Sequence, residues 1–258
     1  MIKRCNFRLA LFIASAIVFV GCGSNSHRAA PPPLAPPVDP ATATEVTGTV
    51  KFEGTPPALK PIDMSAARGC VQANPKPVVP PVVLTGPHDA LANVVVFVKS
   101  GLGHYRYPPP QTPVTLDQKG CMYVPRVVAL MTGQLFQVAD SDPILHDVRP
   151  VLRNNDPWGL SELPGKPPVQ HRFPQPEFAA LVGCMIHPWM RAYLFVFDQP
   201  YFAVTSEDGT FELKNLPAGT YTIEAWHEGN PALDQTVVLG PKESKAISFT
   251  FHSPSSGG

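Results

Sequence analysis

The sequence predicts an all-β protein made of two β-sandwiches, and three observations support this. Short apolar runs rich in β-branched residues recur along the chain, such as NVVVFVK at 93–99 and YLFVFD at 193–198. Turn sequences including SDP, EDGT, LPAGT and EGNP separate these runs, and apolar residues at helical spacing are nearly absent. Thirty-three prolines and nineteen glycines also indicate many strands and turns. Short strands at this spacing are typical of an antiparallel sandwich or barrel.

Residues 1–22 have the features of a lipoprotein signal peptide. A basic start, MIKR, precedes an apolar run at 9–20 that is too short for a good membrane-spanning helix. Gly21 directly before Cys22 resembles the bacterial lipobox, in which that cysteine becomes the lipidated N-terminus. An ordinary cleaved signal or a single membrane anchor are the alternatives. We expect an exported protein, periplasmic or in the cell envelope, and Gly23 in place of the aspartate that often retains lipoproteins at the inner membrane favours the outer membrane.

Residues 23–44 are expected to form a tether. Proline, alanine and serine dominate this stretch, which lacks the apolar periodicity needed to bury a core. Its stiffness would hold the folded part away from the membrane surface. The twenty basic and twenty acidic residues of the whole chain balance, and no basic stripe alternates with aromatic residues. Nucleic-acid binding is therefore not expected.

The folded part divides into blocks. Residues 89–199 carry strands, metal-type residues and long proline-rich loops, whereas residues 200–253 have tighter strands joined by brief turns. AVTSEDGTFELKNLPAGTYTIEAWHEG in the later block resembles the carboxypeptidase regulatory-like (transthyretin-like) β-sandwich, in which DGTF makes a hairpin and LPAGTY leads into the next strand. EVTGTVKFEGTPP, at 45–57, resembles the opening strand of that module. We therefore expect residues 45–88 to supply the first strand and a loop of this second, smaller sandwich.

The five cysteines divide by their expected roles. Cys5 lies in the signal peptide, Cys22 would carry the lipid, and Cys184 belongs to a metal motif described next. In an oxidising compartment the remaining pair, Cys70 and Cys121, is expected to form a disulfide. The bridge would close a loop of about fifty residues, worth roughly 4 kcal/mol on the chain-entropy model. Two buried free thiols are the alternative.

Three metal-type side chains lie at even spacing in VGCMIHPWMRAY, residues 182–193. Cys184, His187 and Met190 offer a thiolate, an imidazole and a thioether. Donors of this softness favour copper, and an electron-transfer copper centre uses two imidazoles and a thiolate with a weak axial thioether. A second histidine is therefore needed from another strand end.

His146 is the best-placed second histidine. In QLFQVADSDPILHDVRP a strand ends at Asp140, SDP makes a turn, and His146 follows. The other histidines lie in the tether, at the tail, in the second sandwich or in proline-rich loops: His27, His252, His227, His88, His104 and His171. The predicted ligand set is thus His146, Cys184 and His187 in plane, with Met190 axial.

With these ligands, residues 89–198 resemble a cupredoxin. Members of that family carry an early histidine after a strand and the other ligands on one strand–loop–strand, and the C-x2-H-x2-M spacing is similar to the ligand loop of amicyanin-type members. The resemblance implies a Greek-key sandwich holding one mononuclear blue-copper ion. Asp147 and Asp140 stand where asparagine is common, and Val182 where an aromatic residue is often found. An extra carboxylate near copper would favour the oxidised state and lower the potential.

Each predicted ligand also has an ordinary explanation. Cys184 could be a buried core cysteine, His187 a surface histidine and Met190 a core residue. Their combination with His146 in an exported protein is what favours copper. Zinc would suit one cysteine with two histidines, but methionine is a poor zinc ligand.

The ligand loop also offers a surface for a partner. Ile186, Pro188 and Trp189 could form a small apolar patch for transient contact with a redox protein such as a cytochrome. Trp189 packed inward is the alternative. The proline-rich stretch at 153–177 exceeds the usual loop length, so it is either functional cover or a poorly ordered excursion.

These observations lead to two hypotheses of different classes. The first is a membrane-tethered blue-copper protein that carries single electrons and has no substrate of its own. The second is a non-catalytic binding or assembly module, or a copper store, built from the same two sandwiches. No hydrolase motif is present, and His227 with Glu228 in EAWHEG lacks a third ligand at suitable spacing, so that pair is expected to be structural.

Overall fold

The computed structural model of the protein describes residues 31–253, with Glu162 described by its backbone alone. The proposed signal peptide, Cys22 and residues 23–30 of the proposed tether lie outside this range. Within it, no helix is both long enough and apolar enough to span a membrane. The remainder of the proposed tether contacts the folded body near its start, where Ala35 donates its amide to the carbonyl of Arg106 and Arg106 donates to that of Pro33. It does so again at its end, where Lys242 donates to the carbonyl of Thr42 and Thr44 begins β1.

The all-β prediction is confirmed. The described residues form sixteen strands and only one short helix, α1 (Arg68–Ala73), with a 3-10 turn at Pro87–Asp89. The strands are β1 (Thr44–Glu53), β2 (Val95–Ser100), β3 (Val114–Lys119), β4 (Met122–Val124), β5 (Val127–Met131), β6 (Phe136–Asp140), β7 (His146–Pro150), β8 (Leu160–Glu162), β9 (Val169–His171), β10 (Glu177–Gly183), β11 (Arg191–Phe197), β12 (Phe202–Val204), β13 (Thr210–Leu216), β14 (Gly219–Trp226), β15 (Leu233–Leu239) and β16 (Ser244–His252).

Four sheets pack as two sandwiches. In the small sandwich, a sheet of order β13-β1-β16 faces one of order β12-β2-β14-β15. Side chains from both sheets, such as Val50, Phe249, Ile223 and Val237, fill its core. In the large sandwich, strands β3 to β11 form sheets of order β5-β11-β10-β7-β8 and β4-β3-β6-β9 around a second core. Alternating side chains of each strand face these cores, as a two-sheet packing requires.

Strand β1 lies between two C-terminal strands of the small sandwich. It pairs antiparallel with β13 and parallel with β16, so that residues 45–53 lie beside residues 244–252. Gly48 permits this close packing, because a Cβ there would lie 2.1 Å from the carbonyl oxygen of Ile247 and 2.5 Å from the ring of Phe211. The opening strand expected from EVTGTVKFEGTPP therefore lies against the C-terminal strands.

The boundary predicted at residue 89 differs from the structure. NVVVFVK forms β2, which pairs with β12 and β14 in the small sandwich. Both faces of this strand are apolar, since Val96 and Val98 enter the small core while Val95 and Phe97 face the large sandwich. A run buried on both faces does not reveal which sheet it joins.

Part of the segment 45–88 also departs from the prediction. Ile62, Met64, Cys70 and Val78 pack against the core of the large sandwich, not that of the small one. The disulfide described below holds this segment there. The chain therefore begins the small sandwich, builds the large one, and returns to complete the small one.

The two sandwiches meet through a third apolar cluster. Phe97 of β2 and Trp226 of β14 contact the outward side chains of β11, notably Phe195 and Phe197. Centroid separations of 5.0 and 4.9 Å for Phe97–Phe197 and Phe195–Trp226 are typical of paired aromatic rings. This packing explains why YLFVFD has no polar face.

A buried ion pair spans the same junction. Arg126, just before β5, donates from Nε and Nη2 to the two carboxylate oxygens of Glu228, both at 2.7 Å. Its Nη1 donates to the carbonyl of Arg191 at 3.1 Å, beside the start of β11. Bidentate geometry satisfies both charges, which burial alone would penalise. Glu228 is thus structural, as EAWHEG was expected to be.

Candidate metal centre

Three strand ends bring the predicted ligands together. His146 opens β7, while Cys184, His187 and Met190 lie in the loop between β10 and β11. Strands β7 and β10 are antiparallel, hydrogen-bonded neighbours, with Gly183 opposite Arg149. The start of β7 and the end of β10 therefore meet at one pole of the large sandwich. The two chain segments expected to carry the ligands therefore meet at this pole.

The donor atoms of three residues converge on one point. The Nδ1 atoms of His146 and His187 are 3.0 Å apart, and the Cys184 sulfur lies 3.8 Å from Nδ1 of His187. One ligand atom from each residue lies within 4.8 Å of the other two. Metal bonds of about 2.0 Å to nitrogen and about 2.3 Å to sulfur would let one ion reach all three atoms. The donors therefore fit a single metal ion.

Burial separates this cluster from an ordinary surface group. His146 is 0 %, His187 3 % and Cys184 7 % exposed, and Met190 is 0 % exposed. Met190 belongs to the same apolar cluster as Cys184, and its amide donates to the carbonyl of His187 at 2.9 Å. Buried imidazoles and a thiol cost solvation free energy unless they are bound or hydrogen-bonded, which favours a use for them.

Backbone amides surround the Cys184 sulfur. The amides of Asp147 and His187 donate to it at 3.4 and 3.3 Å. Burial by itself raises the pKa of the thiol, but the contact with His146 and these amides outweighs burial, so the pKa lies below its ordinary value. These contacts thus favour the thiolate, the form that binds metals, more than burial alone would.

His146 has a partner on each side of its ring. Nδ1 faces the cluster, and Nε2 lies 3.0 Å from a carboxylate oxygen of Asp142. Burial lowers the pKa of His146, but Cys184 and Asp142 more than compensate and raise it overall. Sequence reasoning treated SDP only as a turn and missed Asp142. An acidic residue four positions before a candidate ligand was the available signal.

Asp147, one of the positions singled out in the sequence, has defined hydrogen-bond partners. The Asp147 carboxylate accepts hydrogen bonds from Ser161 of β8 and, at 3.4 Å, from Arg149. Its carbonyl accepts from the Tyr123 hydroxyl. Asp147 therefore ties the first ligand strand to β8, while its amide reaches Cys184. Val182 is simply a buried core residue.

A disulfide joins Cys70 of α1 to Cys121, with Cα atoms 5.6 Å apart. Cys121 lies next to the site, since its sulfur is within 4.8 Å of donor atoms of Asp142 and His146. A disulfide sulfur is not a thiolate ligand, so this second group of three is not a metal site. Among the described residues, Cys184 is the free cysteine. The disulfide instead fixes α1 over the loop that leads to His146.

The surface beside His187 is apolar, though not entirely as predicted. Ile186 is 42 % exposed, Pro188 is exposed, and Met185, which sequence reasoning did not include, is 76 % exposed. Trp189 instead packs partly inward and donates its indole N–H to the carbonyl of Cys121 at 3.0 Å. The exposed patch therefore consists chiefly of Met185, Ile186 and Pro188, and Trp189 anchors the loop.

The stretch at 153–177 is structured cover. It contributes β8, which pairs with β7, and β9, which pairs with β6. Glu177 closes its base, because its carboxylate accepts from the amides of Arg153, Asn154 and Asn155 at 2.7–3.1 Å. These bonds outweigh burial and lower the pKa of Glu177. The loop thereby extends the sheet next to His146.

The other histidines that the structure describes lie outside the centre. His171 stacks on Trp158 at 4.5 Å, and His252 approaches Glu53 at the surface. His227 is buried beside Phe251, and its Nδ1 contacts Asn230 at 2.9 Å. In the part of the chain that the structure describes, both groups of three close donor residues include His146, and the one with Cys184 keeps a free thiol.

Comparison with known proteins gives limited matches. No protein-family model matches the chain, and no curated protein does. Among solved structures, the Cu-containing nitrite reductase from Thermus scotoductus SA-01 is 20 % identical with a TM-score of 0.32, over 34 % of this chain and 23 % of that enzyme's chain. Two mutants of amicyanin in the Cu(I) form are 15 and 16 % identical, with TM-scores of 0.28 and 0.26. They align over 39 and 34 % of this chain and 97 and 91 % of their own.

Proposed function

We propose that the protein is a one-electron carrier that holds a single copper ion between His146, Cys184 and His187, with Met190 as a weak axial ligand. The observation that carries the proposal is the convergence of two Nδ1 atoms and one sulfur, all buried, within 4.8 Å of one another. Two imidazoles with a thiolate and a thioether form the donor set of electron-transfer copper centres. Zinc would leave the choice of methionine unexplained.

The surrounding residues suit a carrier. Ligands held by strand ends, by amides that donate to sulfur and by the Trp189 anchor need little rearrangement between two oxidation states. When bound, copper supplies a one-electron couple at the thiolate. His187 lies just beneath the exposed Met185, Ile186 and Pro188. A small apolar patch of this kind favours brief docking of a redox protein such as a cytochrome.

The N-terminal region extends the proposal to the cell envelope. Lipid on Cys22 would tether an exported protein to a membrane through the proline-rich segment, and Gly23 favours the outer membrane. An oxidising compartment agrees with the Cys70–Cys121 disulfide. As a carrier, the protein would accept and donate single electrons and bind a redox partner, without converting a substrate.

The test is the visible spectrum of the copper-loaded protein and of two ligand variants. We expect intense thiolate-to-copper absorption in the wild type and its loss in Cys184→Ser, because a hydroxyl is a poor copper ligand at neutral pH. His146→Gly should lose the band and recover it with added imidazole. His104→Gly, at an exposed position outside the centre, is the matched control and should keep the wild-type spectrum.

Three results would contradict the proposal. They are a colourless copper-loaded wild type, an unchanged band in Cys184→Ser, and tight zinc binding with no copper couple. Circular dichroism on each variant separates loss of the ligand from loss of the fold.

A further inference from the structure

We propose that Asp142 is a positioning residue that orients His146 for metal binding and sets the reduction potential of the centre. The inference rests on the proposed copper site and adds to it a residue outside the ligand set. The Asp142 carboxylate is buried, at 7 % residue exposure, and one of its oxygens lies 3.0 Å from Nε2 of the fully buried His146.

The carboxylate is itself fixed in place. One oxygen accepts the amide of Gly120 and the other that of Cys121, both at 2.7 Å. The Asp142 amide donates to the Asp140 carboxylate at 3.1 Å. Because Cys121 is covalently joined to Cys70, the hairpin that holds the carboxylate is anchored to α1. Asp142 thus links the disulfide to the first ligand.

This arrangement determines which nitrogen of His146 can bind a metal. Nε2 must carry a hydrogen to donate to a carboxylate, which leaves the lone pair on Nδ1, the atom that faces Cys184 and His187. A carboxylate behind a ligand histidine fixes ring orientation and increases the basicity of the ligand. Within residues 31–253, His187 has no hydrogen bond from Nε2 to a carboxylate, so the two histidines are not equivalent.

The charge of Asp142 has a separate consequence. A negative group directly behind one ligand stabilises the more positive oxidation state of the ion and so lowers the potential. Asp142→Asn keeps an acceptor for His146 while removing that charge. It also turns an amide group towards the N–H of Gly120, which costs about 1–3 kcal/mol of stability. The free energy of unfolding must therefore be measured alongside the potential.

The first arm of the test uses metal-free protein. Nitrogen-15 NMR should show a slowly exchanging Nε2 proton on His146 in the wild type and in Asp142→Asn. The proton should exchange rapidly in Asp142→Ala, where no acceptor remains. A proton equally protected in Asp142→Ala would overturn the positioning role. If the alanine variant does not fold, Asp142→Leu, which also lacks an acceptor, takes its place, and a proton equally protected in that variant would overturn the role in the same way.

The second arm is the potential of the copper-loaded protein. Replacing a hydrogen-bond partner of a metal ligand commonly weakens metal affinity by about 10–100-fold. If Cu(II) affinity falls tenfold relative to Cu(I), the potential of Asp142→Asn rises by about 59 mV. The matched control is Asp117→Asn. The Asp117 carboxylate accepts a hydrogen bond from Ser141, the residue just before Asp142, but it contacts no ligand. Equal shifts in the two variants would overturn the specific role of Asp142.

The two arms also separate this inference from the proposed function. A wild type that binds no copper would contradict the carrier proposal and, with it, the effect of Asp142 on potential. The NMR arm would still decide whether Asp142 orients His146, since it needs no metal.

Discussion

The two sandwiches use buried polar groups in different ways. In the small sandwich these groups have structural partners: the hydroxyl of Thr205 donates to the carbonyl of Leu91 and accepts from the amide of Val94, and Glu228 pairs with Arg126. At one pole of the large sandwich, two imidazoles, a thiol and the Asp142 carboxylate are buried together, and His146 contacts both His187 and Asp142 at 3.0 Å. Such a cluster costs stability. It therefore identifies the pole where function outweighs stability.

The loops of the two sandwiches differ in length and in what they do. The hairpin before β13 is short, and Asp208 closes it by accepting from the amide and hydroxyl of Thr210 and from the hydroxyl of Ser206. The bond from the Thr210 amide is the main reason that the pKa of Asp208 falls to about 2. In the large sandwich, the long stretch at 153–177 covers the first ligand strand. The short hairpin maintains the fold of the small sandwich, whereas the long stretch lies beside the candidate metal centre.

The junction between the sandwiches gives the largest expected effect. Arg126→Met should leave Glu228 buried without its partner and destabilise the protein by about 3–5 kcal/mol. Urea unfolding of the copper-free protein measures this loss. The copper spectrum should remain, since neither residue touches the ligands. A lost spectrum in folded Arg126→Met would show that the junction and the site are not separable.

The double variant Arg126→Met with Glu228→Leu is the control for that experiment. Removing both charges together should recover most of the stability, because no unpaired charge remains in the junction. A double variant as unstable as Arg126→Met would mean that packing, not charge pairing, accounts for the effect.

An intermediate effect is expected at the pole of the large sandwich. Met190→Leu should raise the reduction potential and Met190→Gln should lower it, with copper retained in both, because an axial thioether tunes the couple more than it holds the metal. A tenfold change in relative affinity corresponds to about 59 mV. Voltammetry measures the shift, and copper analysis checks retention. Loss of copper from either variant would make Met190 a principal ligand and favour a copper store.

The smallest effect concerns the small sandwich and pH. Burial lowers the pKa of His227. The unfolded chain then binds the proton more readily than the folded one, so His227 contributes stability that is complete above about pH 6.5 and falls as pH falls. Between pH 7.5 and 5.5, His227→Gln should lose about 1 kcal/mol less stability than the wild type. His252→Gln, an exposed control, should follow the wild type.

The sequence was informative where chemistry is local. Cys184, His187 and Met190 occupy one loop, so their spacing alone indicated a centre, and His146 followed from the end of a strand. The role of Asp142 could not be predicted in this way. It depends on the amides of Gly120 and Cys121, which come close to Asp142 only in the folded chain.

The assignment of strands to sandwiches failed for a related reason. Apolar alternation fixes which side chains are buried, but β2 is buried on both faces and so fits either sandwich by pattern. The inward turn of Trp189 likewise depends on a carbonyl 68 positions earlier, that of Cys121. Contacts between distant segments, and not local preferences, decided each of these cases.

The parallel pairing of β1 with β16 also has a consequence for the order of folding. Residues 114–197 contain every strand of the large sandwich and can assemble as soon as that stretch is available. The small sandwich must wait for residue 244 before β1 gains its parallel neighbour. Pairings so distant in sequence form slowly, and unpaired strand edges invite aggregation meanwhile. The large sandwich should therefore form first, and β1 is the segment that most needs protection while the chain folds.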